Sequence, residues 1–503
     1  MGFLAVIPIG LAIAVGFKKK FEETAAISIF LIILILYISG MVSTFIPGLF
    51  VVAGICVFSV CYIFFKCCKD HQIAWHMVLS GLVAFCGFAM YFMLICHHRA
   101  YDAVADYAHW GLAVKNMWLL NDFSNSSRST DLMYQIPPAS SIWAYFCTRN
   151  WITFSESLTL SAQSLFISIL LLAIFPSVSE KYNWRKCLLI WTIILYVPLI
   201  FDKMAYSSLC PNALVGVLAA YIAFRSYKYM AEGSFLDMVG ALMGTAVISL
   251  IHTEGFYFIS ILSIMIILFI VVYGNKLNVI ENRRFFPFEI LLMAAGSYLT
   301  WKLYLMLTTK NVNGRQYYWG DGMSILNILI TFSLVLVFAG IVNYFDIRFD
   351  KIYIYVLLGV LLISNISLPF NLIKQRPEEK IFWGVIHSKI SISPEDKFYY
   401  IDEDIKHCAA NQVKFYYSIA PGRSEIERNA DNANLSEKIT ANELEQYICE
   451  GQYNYLYINN LDNDFSGKYA SLFQNPEAIG NGKLYKVTRD DTGKNIVLVL
   501  IGE

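Results

Sequence analysis

Residues 24–46 read TAAISIFLIILILYISGMVSTFI, a run of 23 residues without a charged side chain. An α-helix needs about 20 apolar residues to cross the roughly 30 Å of hydrocarbon in a bilayer. Similar runs recur along the chain, so we predict a polytopic α-helical membrane protein. They predict about twelve spans, near residues 3–17, 24–46, 48–66, 74–97, 157–177, 187–203, 207–225, 237–251, 254–273, 288–308, 323–343 and 352–371.

The overall composition supports the same fold class. Of the 503 residues, 57% are hydrophobic and only 15% are charged, and the mean hydropathy is +0.53. Charged residues make up about 25% of an ordinary soluble domain. Most of this chain is therefore not a water-soluble globule.

The charge changes sign near Pro377. Residues 1–377 carry 25 basic and 18 acidic side chains, whereas residues 378–503 carry 13 basic and 20 acidic ones. Such asymmetry favours a domain boundary. We expect a transmembrane domain over residues 1–377, with a large external loop at 98–156, and a soluble domain over residues 378–503.

Basic residues also predict the orientation in the membrane, because Lys and Arg are enriched in short cytoplasmic loops. They fall in alternate loops, near residues 18–20, 66–69, 181–186, 225–228, 276–284 and 348–351. The loop at 98–156, the loop at 309–323 and everything after Pro377 are then expected outside the cytoplasm. This predicts a multi-pass plasma-membrane protein with an extracytoplasmic C-terminal domain.

The C-terminal segment has the pattern of a small α/β domain. Thr440 and Glu443 form a capping box that opens a helix, and Gly451 is placed to close it. Dinucleotide fingerprints and phosphate loops are absent from the sequence of this segment. Aromatic and β-branched runs predict strands near residues 397–401, 414–419, 453–458, 483–487 and 495–501.

An acidic and aromatic cluster, Asp106-Tyr107-Ala108-His109-Trp110, lies in the external loop. Ionisable residues are costly in hydrocarbon, so such a cluster at the mouth of a helix bundle indicates a functional site. Asp102 lies four residues earlier. If residues 102–119 form one α-helix, both acids share a face with His109 and Trp110.

The sequence Asp106-Tyr107-Ala108-His109-Trp110-Gly111 resembles the Asp-Glu-x-His-Phe-Gly motif of protein O-mannosyltransferases. Ile136-Pro137-Pro138-Ala139 is similar to the His-Pro-Pro segment later in the same loop of those enzymes. Tyr107 and Ile136 replace the Glu and His of the family. Both motifs belong to the GT-C superfamily of polyprenyl-phosphate-sugar-dependent glycosyltransferases, which have many spans and a large first external loop.

The resemblance implies transfer of a sugar from a polyprenyl-phosphate-linked donor to a hydroxyl of a glycan, lipid or protein acceptor. Asp106 is then the candidate general base, and Asp102 stands in for the missing Glu. His109 is expected to orient the carboxylate or bind sugar, and Trp110 to stack on a pyranose ring. The simpler interpretations are that Asp106 is a plain loop residue and that Trp110, Trp143 and Trp151 belong to an aromatic belt.

The lipid phosphate that leaves in such a reaction requires basic side chains near the outer interface. Isolated basic residues at span ends are also common as interfacial anchors. The candidates are Lys203, His252, Lys302, Lys310, Arg315 and Arg376.

No cofactor is predicted, because Asp102 and Asp106 alone make a poor divalent-metal site. Cysteine spacing shows no metal motif, and a disulfide between Cys408 and Cys449 is left open. The bilayer, a lipid-linked donor and an acceptor are the expected partners, and nucleic acid is not.

Two other functions stay open. A transporter or flippase of lipid-linked saccharides would place ionisable or helix-breaking residues near mid-membrane, where this sequence has few. A polysaccharide polymerase or ligase of another fold would concentrate Arg and His in a late external loop. The loop at 309–323 holds only Lys310 and Arg315.

Overall fold

A computed structural model shows the chain as two compact units. The helical unit comprises Met1–Arg99, Ala113–Ser126 and Met133–Gln375, and the C-terminal unit comprises Ala100–Leu112, Ser127–Leu132 and Arg376–Glu503. Within them the structure describes residues 2–69, 75–97, 99–101, 103, 105–124, 135–149, 154–174, 191–196, 198–199, 202, 204–273, 283–308, 398–402, 440–450, 452–459, 469–480, 483–490 and 495–502.

Besides helical residues at 191–196 and 198–199, the structure describes eleven α-helices before residue 309. They are α1 (Val6–Phe17), α2 (Phe21–Val42), α3 (Phe45–Lys69), α4 (Trp75–Ile95), α5 (Gly111–Leu120), α6 (Ala139–Thr148), α7 (Glu156–Ile174), α8 (Asn212–Glu232), α9 (Phe235–Ser249), α10 (Thr253–Tyr273) and α11 (Phe286–Thr308). A 3₁₀ turn, Gly2–Ala5, precedes α1.

Five helices within the described residues are long and apolar enough to cross a membrane. They are Phe21–Val42, Phe45–Lys69, Val78–Ile95, Glu156–Ile174 and Phe286–Thr308. Three shorter apolar helical segments are Gly2–Phe17, which combines the first turn with α1, Phe235–Ser249, which is α9, and Thr253–Ile264, which is the first part of α10. The chain is thus mostly helical, as expected of a membrane protein. The number twelve stays a prediction, and the spans at 323–343 and 352–371 lie outside the described residues.

Helix α7 lies at the centre of the helical unit and α3 at its edge. The most apolar 18 residues of α7 are 89% buried, and the helix packs against α2, α4, α6 and α8. In α3 the corresponding fraction is 17%, with Phe50, Phe58 and Phe64 at least 70% exposed. A long apolar face of this kind is suited to lipid rather than water.

A buried ion pair joins four helices at one end of the unit. Arg225 of α8 donates to Asp237 Oδ1 of α9 at 2.6 Å and to the Ala173 carbonyl of α7 at 3.0 Å. Its Nη1 atom also lies 3.7 Å from a carboxylate oxygen of Glu23 on α2. Arg225 and Asp237 are almost completely buried, so each charge depends on the other.

The C-terminal unit contains a four-stranded sheet of β1 (Phe398–Asp402), β2 (Tyr455–Asn459), β3 (Lys483–Arg489) and β4 (Ile496–Gly502). The order is β1-β2-β3-β4, with β1 and β2 parallel and the other pairs antiparallel. Four of the predicted strands are confirmed to within two residues at their starts. The predicted strand at 414–419 lies outside the described residues.

Helix α12 (Ala441–Glu450) connects the parallel strands β1 and β2. The predicted capping box is confirmed, because the Thr440 N–H donates to Glu443 Oε2 and the Glu443 N–H donates to Thr440 Oγ1. The helix packs its apolar face on the sheet to form one core. That core includes Leu444, Ile448, Leu456, Ile458, Tyr485, Val487 and Leu498.

We expect Arg225→Met to lower the free energy of unfolding by about 3–5 kcal/mol, because it leaves the buried Asp237 carboxylate without its cation. Thermal unfolding of the protein in detergent measures the loss. Lys228→Met is the matched control, since Lys228 contacts the same Glu23 at 3.8 Å but is partly exposed. Lys228→Met is expected to lower the free energy of unfolding by only about 0–1 kcal/mol. Equal losses in both variants would contradict the role given to the buried pair.

Candidate functional site

Asp106–Trp110 forms a π-helical turn that runs directly into α5. The Gly111 N–H donates to the Asp106 carbonyl five residues back, whereas an α-helix closes four residues back. The continuous α-helix expected over residues 102–119 is therefore wrong. A π turn holds more residues than an α turn, so His109 no longer shares the Asp106 face as α-helical spacing predicts. Short π turns are frequent at functional sites.

The turn carries its polar side chains into the protein interior. Asp106 is 0% exposed, His109 is 4% exposed and Trp110 is 7% exposed. The imidazole and indole rings meet edge to face, with centroids 4.5 Å apart. The Asp106 carboxylate is thus shielded from bulk water.

Tyr107, which replaces the Glu of the mannosyltransferase motif, supports the backbone of this turn. Its hydroxyl donates to the Tyr101 carbonyl at 2.7 Å, and the two rings lie edge to face. The Tyr101 ring in turn packs against Gly111, where a Cβ atom would lie 2.3 Å from the ring. Tyr107 therefore positions the turn through a neutral hydrogen bond, and Asp102 lies outside the described residues.

Residues 100–112 belong to the C-terminal unit. The segment that carries Asp106 is therefore grouped with the sheet-containing part of the chain, although some 270 residues of sequence separate them. The sequence does not predict that residues 100–112 belong to the C-terminal unit, because local sequence patterns do not indicate which distant segment a loop is grouped with.

The Pro137 and Pro138 segment belongs to the helical unit and is held at two points. Trp301 Nε1 of α11 donates to the Gln135 carbonyl at 3.0 Å. The Ala139 N–H donates to the carbonyl of Leu250, directly after α9, at 2.7 Å. The segment therefore bridges α9 and α11.

An open apolar groove of about 610 Å³ runs between α2, α9 and α11. Leu34, Ile38, Leu242, Ala246, Leu292 and Met293 line it. The groove is also lined by Leu250 and by Tyr37 and Thr300, whose hydroxyl groups share a hydrogen bond of 3.0 Å. Because Leu250 accepts the Ala139 hydrogen bond, one part of the groove lies next to the Pro137 and Pro138 segment.

His252 directly precedes α10, and Lys302 lies on α11. His252 Nδ1 accepts the Glu254 N–H at 3.2 Å, so the side chain caps the start of α10. The Lys302 ammonium lies 5.3 Å from the Tyr298 ring, which stacks on Phe256 of α10 at 4.4 Å. Both are thus in structural contacts, and neither is shown at a phosphate site. Lys203, Lys310, Arg315 and Arg376 lie outside the described residues.

Trp143 is a core residue, so its reading as part of an aromatic belt is wrong. It is fully buried, and its Nε1 donates to the Ala162 carbonyl at 2.8 Å. This bond fastens α6 to α7. Trp151, the other aromatic-belt candidate, lies outside the described residues.

The sequence analysis did not single out Trp118 and Arg149, which the folded external loop brings close together. Arg149 Cζ lies 6.0 Å from the Trp118 ring. The only signal in the sequence is the presence of two cations beside aromatic residues in this loop.

Among the described residues, no group of three or more His, Cys, Asp or Glu side chains is arranged to hold a metal ion. Cys408 lies outside the described residues, and its pairing with Cys449 stays open. Comparison of the chain with protein-family models, with curated proteins and with solved structures found no match.

We expect Gly111→Ala to destabilise the turn, because the new methyl group would lie 2.3 Å from the Tyr101 ring and 2.8 Å from the Asp106 carbonyl oxygen. Overpacking of this kind costs about 1–3 kcal/mol, measured as a lower unfolding temperature. Gly54→Ala on α3 is the control, since a Cβ there meets nothing within 4 Å. It should be neutral or stabilising by up to about 1 kcal/mol. An unchanged Gly111→Ala variant would refute this packing argument.

Proposed function

We propose that this protein is an inverting, GT-C-like glycosyltransferase of the plasma membrane. It transfers a sugar from a polyprenyl-phosphate-linked donor to an acceptor hydroxyl at the extracytoplasmic face, in the synthesis of cell-envelope polysaccharide or glycoconjugates. The observation that carries the proposal is the apolar groove between α2, α9 and α11. Its size and lining suit the chain of a lipid-linked substrate.

The position of the Pro137 and Pro138 segment supports the same function. The segment lies beside Leu250 and is bonded to Trp301, so it borders the groove that would hold the prenyl chain. In this proposal the sugar phosphate lies near that border. His252 and Lys302, together with Lys203, Arg315 and Arg376, are the proposed candidates to meet the phosphate charge.

Asp106 is the proposed general base, assisted by Asp102. The acceptor oxygen attacks the anomeric carbon from the face opposite the phosphate and loses its proton to the Asp106 carboxylate. The bond from the anomeric carbon to the phosphate oxygen breaks, and its electron pair leaves with the lipid phosphate. Burial of Asp106 supports this role, because exclusion of water limits hydrolysis of the donor. His109 and Trp110 are proposed to bind the sugar.

A flippase of lipid-linked saccharides is the second candidate, because an open apolar groove also suits a transported prenyl chain. Transport requires no base, whereas transfer does. The effect of removing the Asp106 carboxylate therefore separates the two functions.

We expect Asp106→Asn to lower the rate of sugar transfer by about 10²–10⁴-fold, because the amide cannot accept the hydroxyl proton. Membranes supplied with a polyprenyl-phosphate sugar and an acceptor give the rate. Asp122→Asn in the same loop is the control, since Asp122 Oδ1 accepts the Phe123 N–H and the Asn carbonyl oxygen can accept it in the same way. Full transfer by folded Asp106→Asn would exclude the base, and lipid translocation without transfer would favour the flippase.

We expect Gly296→Phe to raise the KM for the lipid-linked donor at least tenfold, because the ring would occupy the groove. Gly296 lines the groove and a Cβ there meets nothing within 4 Å, so the substitution fits without a clash at Cβ. Gly54→Phe on α3 is a matched control with the same open surroundings outside the groove lining. An unchanged donor KM in Gly296→Phe would remove the groove from the proposal.

A further inference from the structure

A buried carboxyl group that the proposed transfer reaction does not use lies at the start of α2. Glu22 is the second residue of that helix and is 2% exposed. Neither of its carboxyl oxygens has a hydrogen-bond partner among the described residues. Buried polar side chains are nearly always hydrogen-bonded in folded proteins, and a Glu is rarely fully buried unless it is paired. Glu22 is therefore an exception that requires an explanation.

The Glu22 carboxyl group packs against the backbone of α4. A Cβ atom at Gly81 would overlap Glu22 Oε2 and would lie 3.1 Å from Glu22 Cδ. The glycine thus makes room for the carboxyl group, and a water molecule cannot enter between Oε2 and the α4 backbone. The neighbouring helix α1, over Val6–Phe17, and α4 over Val78–Ile95 contain no charged residue. On this side Glu22 therefore faces an uncharged surface.

The charges that act on Glu22 are those of Lys20, Glu23 and Arg225. The two cations favour an ionised Glu22, and the Glu23 carboxylate opposes it. Arg225 donates its hydrogen bond to Asp237 Oδ1 at 2.6 Å, and it lies 3.7 Å from Glu23. The N-terminus of α2 also favours an anion, but this effect is weaker than the loss of hydration by a buried ion. A neutral carboxyl group avoids that loss.

We propose that Glu22 is a proton-binding site, neutral in the folded protein, and that loss of its proton loosens the contact between α2 and α4. A buried acid without a partner takes up a proton rather than stay charged. In alkaline solution the proton passes to water, and the carboxylate moves toward water in turn. Because its oxygen touches the Gly81 backbone, this movement changes the packing of α4.

The contact between α2 and α4 then depends on pH in one direction. The folded protein holds the Glu22 proton more tightly than the unfolded chain, in which Glu22 is an exposed acid. The stabilising contribution is therefore complete in acid solution, and it is lost as the pH rises through the range in which the folded protein releases the proton. This dependence is independent of the proposed transferase function.

Infrared spectroscopy of the full-length protein in detergent detects the proton directly, because a neutral carboxyl group has a C=O stretching band that a carboxylate lacks. We expect Glu22 to contribute such a band in the wild-type protein near pH 6 and to lose it by about pH 9. Glu22→Gln should lack this contribution at every pH. Glu23→Gln is the matched control, since Glu23 is adjacent, is 20% exposed and is paired with Arg225, and the band should remain.

Hydrogen–deuterium exchange of the same samples measures the contact with α4. After correction for the intrinsic effect of pH on exchange, the amides of residues 78–95 in the wild-type protein should lose protection as the pH rises, by up to about tenfold per pH unit. Glu22→Gln should keep its protection, because the amide side chain does not ionise. The amides of α9 serve as an internal reference.

Glu22→Met, with an apolar side chain of similar length, replaces Glu22→Gln in both measurements if the latter does not fold. Failure of both variants to fold would show that the charge of Glu22 is needed, and it would overturn the proposal. So would a carboxyl band that is the same in wild type and variant, or α4 protection that does not change with pH. Each of these results leaves the transferase proposal standing, because that proposal depends on the transfer rate of Asp106→Asn.

Discussion

The helical unit depends on the hydrogen bonds that the buried helix α7 makes to its neighbours, because most polar groups in a protein interior need a partner. Ser161 donates to the Phe92 carbonyl of α4 at 3.2 Å. Gln163 donates to the Leu209 carbonyl at 3.1 Å, which ties α7 to the segment before α8. Small hydroxyl residues and one amide thus allow close approach of helices and replace the hydrogen bonds that water would make.

The same requirement explains why the candidate site is built from supported side chains. The Asp106 carboxylate lies in the interior, and the turn around it is fixed by Tyr107, Tyr101 and Gly111. Each of the three contributes shape or a neutral hydrogen bond. Tyr107 stands where the mannosyltransferase motif has Glu. The turn therefore carries Asp106 as its acidic residue, and Tyr107 supports it through a neutral hydrogen bond.

Hydropathy and local motifs predict several of the elements that the structure describes. The run at 24–46 becomes α2 over Phe21–Val42, and Thr440 with Glu443 caps α12. Both depend on residues close together in the sequence.

The π turn could not be predicted. It contains about one residue more per turn than an α-helix, and the spacing of apolar residues around Asp106 does not indicate this difference. The groove could not be predicted either, since its walls come from α2, α9 and α11, and which face of each apolar helix meets the others is a property of packing. Trp118 and Arg149 are 31 residues apart, and only the folded loop brings the Arg149 guanidinium to 6.0 Å from the Trp118 ring.

The two hydrogen bonds that hold residues 135–139 have a mechanical consequence. One bond ends on α11 at Trp301, and the other ends directly after α9 at Leu250. The segment between these two hydrogen bonds is only five residues long and can be stretched little. A ligand that increases the distance between α9 and α11 must therefore strain or break one of the two bonds. An increase in the distance between the two helices is thereby converted into displacement of the proline segment.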